Sequence, residues 1–353
     1  MTTPAGPKKH HYVSQMQLRF FSIDAKGKQV FAYDKEADDV RIVAITDAAA
    51  QAGYYTVPTD DGPSLEVEDR FAVIEGRVRP ALERLTHIQP PPLGPLQFRM
   101  ASGDREWLCG YIALQHLRVP AQREAMQVIW NLQGTLTVDI MLQDPQKYAI
   151  EVAGKERPDA ESERARKRAL DSLRKGRMTV NSDPSVSIKA MLELVGHVED
   201  RVRQMRLVLM KRFTAPFFLL SDNPVQLWAP EGYSPVKGFG FGTPGVEVTL
   251  PVDPMTVLCA TNDESISEVV LPVRKAESVM DGNRKLWRFA TRFVFGQRRE
   301  DLDAVAATMS MEERVWRPPT LDMASHGGPE WKGYAERAKQ RPPRSKVRRR
   351  PKR

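Results

Sequence analysis

The chain has few cysteines and no long apolar run. Only two of its 353 residues are cysteines, Cys109 and Cys259, which lie far apart among apolar residues. We therefore expect two buried free thiols rather than a disulfide-stabilised secreted fold. The longest apolar run, A-P-F-F-L-L, is much shorter than the ~20 residues of a membrane-spanning helix. The first residues contain no apolar segment typical of a signal peptide, so we predict a cytoplasmic protein.

Motifs that identify common enzyme classes are also missing. The sequence contains no G-x-S-x-G, no H-E-x-x-H and no paired C-x-x-C. A glycine-rich stretch at 238–245, G-F-G-F-G-T-P-G, lacks the Lys-Ser/Thr of a phosphate-binding P-loop. We interpret this stretch as a flexible hairpin or lid. No single motif therefore identifies a reaction.

The net charge of +8 is unevenly distributed. Residues 337–353 contain ten Lys or Arg and no acid, which leaves about −2 on the first 336 residues. We predict a disordered leader at 1–9 and a basic disordered tail at 316–353. Such a tail attracts phosphates, and the alternative is a tail that only solubilises the protein. The tail residues predicted to contact nucleic acid are Arg344, Lys346, Arg348, Arg349 and Arg350.

The order of the apolar patterns predicts an α+β fold, a mostly helical body with a small N-terminal hairpin and a C-terminal mixed or antiparallel sheet. The hairpin joins K-Q-V-F-A-Y-D to V-R-I-V-A-I through a polar turn. We expect residues 10–315 to form a single domain. Within it, the charge-dense segment 151–180 is predicted to be a solvated helix or a mobile insertion.

Several helices are predicted from apolar stripes at helical spacing. One begins at Ser64, and its Pro80 predicts a kink or break near Arg79. A nearly all-apolar helix begins at Ser102. Later, a long amphipathic helix is predicted over 184–213. A closing helix, N-R-K-L-W-R-F-A-T-R-F-V-F-G, is predicted near the end of the body.

Three segments together resemble a known family. They read K-K-H-H-Y-V-S-Q-M-Q-L-R-F-F near the start, L-Q-H-L-R-V-P-A-Q-R in the middle and L-L-S-D-N-P-V further on. Their content and order resemble the signatures of the domain-of-unknown-function 4238 (DUF4238) family over about residues 8–300. The resemblance implies a common fold and a shared polar site, and it implies no established activity.

The first of these segments contains adjacent histidines, His10 and His11. Neighbouring residues on a strand or helix face different sides, so at most one of the two points toward a site. His11 is interpreted as a metal ligand or general base, because imidazole titrates near neutral pH. The alternative is that the pair anchors the N-terminal segment. We include Gln15 in the same polar site.

Two glutamates on the first long helix, Glu68 and Glu75, are seven residues apart and therefore share one side of it. A buried carboxylate needs a metal, an arginine or hydrogen-bond donors. Arg118, at the end of the apolar helix, is the proposed partner. The alternative is an Arg–Glu pair that only ties two helices together. Of the neighbouring residues, Gln115 is added to the site, and His116 is expected to be a satisfied core or rim histidine.

The S-D-N-P motif places Asp222 and Asn223 at the end of a buried strand. Such positions often carry ligand-binding carboxylates, but the same residue types also form ordinary turns. Both interpretations stay open. Asn283 is interpreted as the N-cap of the closing helix, with an anion pocket at that helix start as the alternative.

The preferred hypothesis from the sequence is a hydrolase, a metal-dependent phosphodiesterase or nuclease. Mg²⁺ or another divalent ion would activate water, and Arg118 would stabilise charge developing on the phosphate. The predicted catalytic residues are His11, Glu75, Arg118 and Asp222; the predicted metal ligands are His11, Glu68, Glu75 and Asp222; and the further polar residues are His10, Gln15, Gln115, Asn223 and Asn283.

The alternative hypothesis is a non-catalytic binding module whose basic tail contacts nucleic acid. In it, the same polar residues form a buried hydrogen-bond network that holds the N-terminal segment against the last sheet. The two hypotheses differ in geometry. An active site requires His11 and Asp222 to lie close together beside an open pocket, whereas a structural network is dry and fully paired.

Overall fold

The computed structural model describes residues 9–55, 57–59, 62–64, 66–89, 94–175, 177–178, 181, 183–230, 232–233 and 239–316. The predictions for residues 1–8 and 317–353, including the five tail cations, lie outside these residues. The chain divides into two compact units. The described residues of the first unit lie within Met1–Gln127 and Asn181–Pro318, and those of the second lie within Val128–Val180. The charge-dense segment 151–180 belongs to the second unit.

The secondary structure alternates short strands with helices. The helices are α1 (Gln15–Phe20), α2 (Glu66–His87), α3 (Ser102–Leu117), α4 (Pro120–Gln143), α5 (Pro145–Glu151), α6 (Ala160–Arg174), α7 (Pro184–Gln204), α8 (Ala276–Phe289), α9 (Arg299–Ala306) and α10 (Met311–Arg314). The strands are β1 (Lys9–His11), β2 (Gln29–Asp34), β3 (Asp39–Ala44), β4 (Ala50–Ala52), β5 (Val57–Thr59), β6 (Gly62–Ser64), β7 (Leu96–Gln97), β8 (Arg206–Lys211), β9 (Leu220–Ser221), β10 (Gln226–Trp228), β11 (Glu247–Asp253), β12 (Thr256–Thr261), β13 (Val269–Pro272) and β14 (Phe293–Gly296). This confirms the predicted α+β class.

Two larger sheets organise the first unit. The six-stranded sheet has the order β10-β11-β12-β8-β13-β7 and is antiparallel except for the parallel pair β13 and β8. The four-stranded sheet has the order β3-β2-β14-β9 and is antiparallel. The predicted hairpin is present as β2 and β3, and β14 from the far end of the unit extends its sheet. The C-terminal sheet, predicted to be mixed or antiparallel, is the six-stranded sheet, and it is mixed.

The structure corrects two predicted helices. The helix predicted over 184–213 ends at Gln204, and β8 follows it at the centre of the six-stranded sheet. The sequence R-L-V-L-M-K suits a buried strand, and its pairing on both edges overrides the preceding helical pattern. The segment F-V-F-G, predicted to end the closing helix, forms β14 instead.

The closing helix also begins earlier than predicted, at Ala276. Asn283 therefore lies in the middle of α8 and is not an N-cap. α2 is assigned as one continuous helix through Pro80, rather than as two helices broken near Arg79.

The N-terminal segment lies between two hydrophobic cores of the first unit. One core joins the six-stranded sheet to α2 and α3, and the other joins the four-stranded sheet to the residues after β1. Phe20, Ile74 and Val198 pack against both cores. Residues 9–20 are therefore held where the two sheets and the long helices meet.

The second unit has a small core of its own. Leu142, Tyr148 and Leu173 are its buried centre. The buried guanidinium of Arg166 donates a 2.5 Å hydrogen bond to the carbonyl of Leu142 and pairs with Glu163. The charge-dense sequence thus forms an amphipathic helix, α6, with one packed side and one solvated side.

Both cysteines are buried and free, as predicted. Among the described helices, none has the length and apolar character needed to span a membrane.

A buried lysine joins the end of α2 to the six-stranded sheet. Lys211 Nζ donates hydrogen bonds to the carbonyls of Leu85 and Thr86, at 3.1 and 2.9 Å, and to Thr256 Oγ1 at 2.7 Å. The last carbonyls of a helix lack partners within the helix, and a cation near them is favoured by the helix dipole. Lys211 therefore fixes α2, which carries Glu68 and Glu75.

We predict that Lys211→Met lowers the free energy of unfolding by about 2–3 kcal/mol, because it leaves buried carbonyls without donors. Urea denaturation measures this change. Lys189→Met, at an exposed position of α7, should leave stability within about 0.5 kcal/mol of the unchanged protein. Equal effects of the two substitutions would contradict the role given to Lys211.

Candidate functional site

The two adjacent histidines are presented by β1, which pairs with β4. His10 lies opposite Gln51 and His11 opposite Ala50. The His10 ring is buried and stacks on Tyr55 with the ring centroids 5.8 Å apart, and its Nδ1 accepts a 2.8 Å hydrogen bond from the Tyr55 backbone N–H. Burial lowers the pKa of His10. His10 is therefore an anchor, and the strand alternation places His11 on the other face.

Arg118 is the most deeply buried charge near His11. Its side chain is 1% exposed, and its guanidinium lies 5.6 Å from the centroid of the Phe71 ring. Nη1 donates to Glu75 Oε1 at 2.7 Å, and Nε and Nη2 donate to Gln115 Oε1 at 3.1 and 2.5 Å. Burial alone would lower the pKa of Arg118, but the charge of Glu75 raises it. The proposed pairing of Arg118 with a glutamate of α2 is thus present, with Glu75.

The Arg118 cluster is tied to the N-terminal segment through backbone groups. Gln115 Nε2 donates a 2.8 Å hydrogen bond to the carbonyl of Tyr12. The Tyr55 hydroxyl donates to the carbonyl of Arg118 at 3.1 Å. One guanidinium therefore connects α2, α3 and the strand that carries the histidines.

A second chain of buried hydrogen bonds joins α1 to α3 and to β11. The Tyr111 hydroxyl donates to Gln17 Oε1 at 2.7 Å and lies 2.8 Å from Ser14 Oγ. Gln17 Nε2 donates to the Pro251 carbonyl at 2.8 Å, and Ser14 Oγ caps α1. Gln17 and Tyr111 were not among the site residues predicted from the sequence. A glutamine between Met16 and Leu18 was the available signal, because a polar residue amid buried neighbours needs partners.

Two buried polar atoms beside this network have no hydrogen-bond partner, His11 Nε2 and Glu68 Oε2. The His11 ring lies 3.5 Å from Gln15 Nε2 through its Nδ1, and the backbone of Ile45 and Thr46 is also close to it. Nearly all buried polar atoms in native proteins form hydrogen bonds, so each buried atom without a partner needs an explanation. The Glu75 side chain next to them is 23% exposed, so the cluster reaches the surface.

The two unpaired groups share the same charged neighbours. Burial lowers the pKa of His11, the nearby carbonyls of Ile45 and Thr46 raise it, and the charges of Arg118 and Glu75 act on it in opposite directions. Burial raises the pKa of Glu68, with the charge of Arg118 opposing the rise and that of Glu75 adding to it. The imidazole is therefore neutral at pH 7, and the carboxyl retains its proton more readily than an exposed glutamate does.

Asp222 lies near Tyr12, and its carboxylate is held by backbone donors of another segment. Its carboxylate accepts hydrogen bonds from the backbone N–H groups of Thr291, Arg292 and Phe293 at 2.7–2.8 Å. Burial raises the pKa of Asp222, and these donors oppose the rise. The carboxylate fixes the connection between α8 and β14. Among the described residues, it forms no hydrogen bond or ion pair with His11 or the glutamates of α2.

The two asparagines predicted as polar site residues also hold α8. Asn223 Nδ2 donates to the carbonyl of Phe289 at 3.2 Å. Asn283 Oδ1 accepts from the Leu219 backbone N–H at 3.0 Å, and its Nδ2 donates to the Phe217 carbonyl at 2.8 Å. The S-D-N-P motif and Asn283 therefore form a structural joint between α8 and the strand β9.

The predicted metal ligands do not form one set in this geometry. Within the part of the chain that the structure describes, no group of three or more His, Cys, Asp or Glu side chains could hold a metal ion. His11, Glu68 and Glu75 are grouped around Arg118, whereas Asp222 belongs to the joint of α8. The arrangement brings an imidazole and two carboxyl groups, which can exchange protons, beside a guanidinium that stays charged.

His116 lies one residue after Gln115, in a different environment. It is half-buried, and its ring meets the Phe241 ring edge to face with the centroids 5.0 Å apart. Burial lowers its pKa to about 4, although a hydrogen bond to the Val225 backbone raises it. Its Nδ1 has no partner, so it is a core histidine that is only partly satisfied.

Comparison with protein families shows which family the chain matches. The family model described as "Protein of unknown function (DUF4238)" matches residues 9–300. No curated protein matches the chain, and no solved structure matches it.

We predict that stability falls as the pH is lowered from 6.5 towards 4, because His116 must become charged on unfolding but stays neutral when folded. The pKa of His116 is lower in the folded than in the unfolded state. The folded protein therefore keeps its full stability above pH 6.5 and becomes less stable as the pH falls below that value. The loss from this one residue amounts to up to about 3 kcal/mol.

Urea denaturation at a series of pH values measures this effect. His116→Leu should flatten the pH dependence, and His87→Leu, at an exposed position, should leave it as in the unchanged protein. If His116→Leu retained the full slope, the buried neutral state of His116 would be refuted.

Proposed function

We propose that this chain, which belongs to the DUF4238 family, is a hydrolase that uses His11 and Glu68 as an acid–base pair beside Arg118 and Glu75. The observation that carries the proposal is the pair of buried, unpartnered atoms His11 Nε2 and Glu68 Oε2. A bound substrate that reached both atoms would supply the two missing hydrogen bonds.

Each residue has a distinct role in the proposed reaction. Neutral His11 takes a proton from water, whose oxygen attacks the phosphorus of a phosphodiester. Protonated Glu68 gives its proton to the leaving oxygen as the P–O bond breaks. The shifted pKa values of both groups suit these roles, because a general base must be neutral and a general acid must hold a proton near the working pH.

Arg118 and Glu75 act as positioning residues in this proposal. The guanidinium is occupied by Gln115 and Glu75, so it supports the site by its charge and by fixing its neighbours. A positive charge in a low-dielectric environment favours the negative charge that develops on a phosphoryl group. A phosphate-containing substrate is therefore the class that we propose. The basic tail would raise the local concentration of a nucleic acid.

The second candidate is the non-catalytic binding module. It is favoured by the fully paired chain from Ser14 through Tyr111 and Gln17 to Pro251, which locks α1 against the six-stranded sheet. Under this hypothesis, the unpaired atoms of His11 and Glu68 take no part in a reaction. The two candidates are separated by activity measurements.

We expect the full chain to hydrolyse bis(p-nitrophenyl) phosphate, or single-stranded DNA or RNA, in the presence of EDTA. His11→Gln and Glu68→Gln should each lower the rate about 100-fold or more, because general acid–base catalysis contributes at least about that factor. The pH profile should be bell-shaped, since activity requires neutral His11 on the acidic limb and protonated Glu68 on the alkaline limb.

Matched controls are available at exposed positions of the same helix. Arg79→Gln and His87→Gln should retain the rate of the unchanged protein. Absence of hydrolysis in every condition, or equal rates for His11→Gln and the controls, would favour the binding module. Activity that EDTA removes would contradict the acid–base pair and favour a metal.

A further inference from the structure

A second concave region of the first unit lies between α8 and the six-stranded sheet, and no histidine is among its lining residues. It is a cleft of about 210 Å³. Its inner part is apolar and includes Met210, Phe218, Val257 and Leu286. A cavity of about 150 Å³ is enough to hold benzene. The cleft therefore has room for a small ligand with one apolar ring or branched chain.

The mouth of the cleft is open because α8 has a glycine there. Gly282 is exposed, and a Cβ built on it would meet no atom within 4 Å. Glycine inside a helix costs about 1 kcal/mol relative to alanine. Its presence on this face of α8 leaves space that any larger residue would fill.

The aromatic wall of the cleft is held in a fixed orientation. Trp228 Nε1 donates to Thr249 Oγ1 at 3.1 Å, and the Phe289 ring meets the Trp228 ring edge to face at 5.0 Å. Gln226 and Asn283 also line the cleft, but their amides already bind backbone groups. The polar groups left for a ligand are therefore at the mouth.

Two opposite charges flank the Trp228 ring at this mouth. Lys285 Nζ lies 5.1 Å from the ring centroid. Glu247 is the cross-strand partner of Trp228, so both side chains lie on the same face of the sheet. Neither charge has an ion-pair partner among the described residues, whereas the third charged lining residue, Asp281, is paired with Arg284.

We propose that this cleft binds a small zwitterion with an apolar side chain, the chemical class of a free α-amino acid such as phenylalanine. The apolar side chain would enter the cleft beside Trp228. The ligand carboxylate would pair with Lys285 and its ammonium group with Glu247. A ligand of this class pairs with both charged residues at the mouth and places an apolar group in the apolar interior.

The test uses three ligands that differ only in charge, L-phenylalanine, 3-phenylpropionate and 2-phenylethylamine, titrated into the full chain by calorimetry. We expect phenylalanine to bind and each singly charged analogue to bind about tenfold more weakly, because each lacks one hydrogen bond between charged groups. Lys285→Met and Glu247→Gln should weaken phenylalanine binding by a similar factor.

Gly282→Leu should abolish binding, because its side chain fills the mouth. Gly196→Leu on α7 is the matched control, since that glycine is also exposed with no atom near an added Cβ. Both substitutions replace a helical glycine with a better helix former, so both variants should fold. No binding of phenylalanine, equal binding of the three ligands, or unchanged binding by Gly282→Leu would each overturn the proposal.

Discussion

The buried guanidinium of Arg118 is the constraint on which the arrangement of the N-terminal segment depends. An isolated buried charge is too costly to persist, so the surrounding chain must supply acceptors. Glu75 comes from α2, Gln115 from the preceding turn of α3, and Gln115 in turn holds Tyr12. The hydrogen bonds that satisfy Arg118 thus set the positions of three separate parts of the chain. The charge of Arg118 also acts on the pKa values of His11 and Glu68.

Other buried cations in the first unit bind backbone carbonyls instead of acids. Lys35 Nζ donates to the carbonyls of Trp287 and Ala290 at the end of α8, at 3.0 and 2.8 Å. The Arg212 guanidinium donates to four carbonyls, including those of Val273 and Arg274. These cations close helix ends and loops where carbonyls lack partners. Arg118 differs because its partners are side chains, and because polar atoms beside it stay unpaired.

The local parts of the fold could be predicted from the sequence, and the long-range pairings could not. The alternation of apolar and other residues in K-Q-V-F-A-Y-D and V-R-I-V-A-I correctly indicated the strands β2 and β3. No glycine or proline separates residues 206–211 from the preceding helix, so their pairing with β12 and β13 decides that they form a strand. The spacing of Glu68 and Glu75 correctly suggested that a glutamate of this helix meets Arg118. Asp222 was grouped with them because strand ends often carry ligands, but its backbone donors arise only from the return of the chain after α8.

We infer that Glu75 is paired for structure, whereas the Oε2 atom of Glu68, which has no partner among the described residues, serves the proposed reaction. The most direct test compares the free energies of unfolding of Glu75→Met and Glu68→Met, two substitutions on the same face of α2. Glu75→Met should lose about 3–5 kcal/mol, because it leaves a buried arginine without its counter-ion. Glu68→Met should be as stable as the unchanged protein, or more stable by about 1 kcal/mol, because it removes a buried oxygen that has no partner. Losses of equal size would show that Glu68 is a structural residue and would contradict the account.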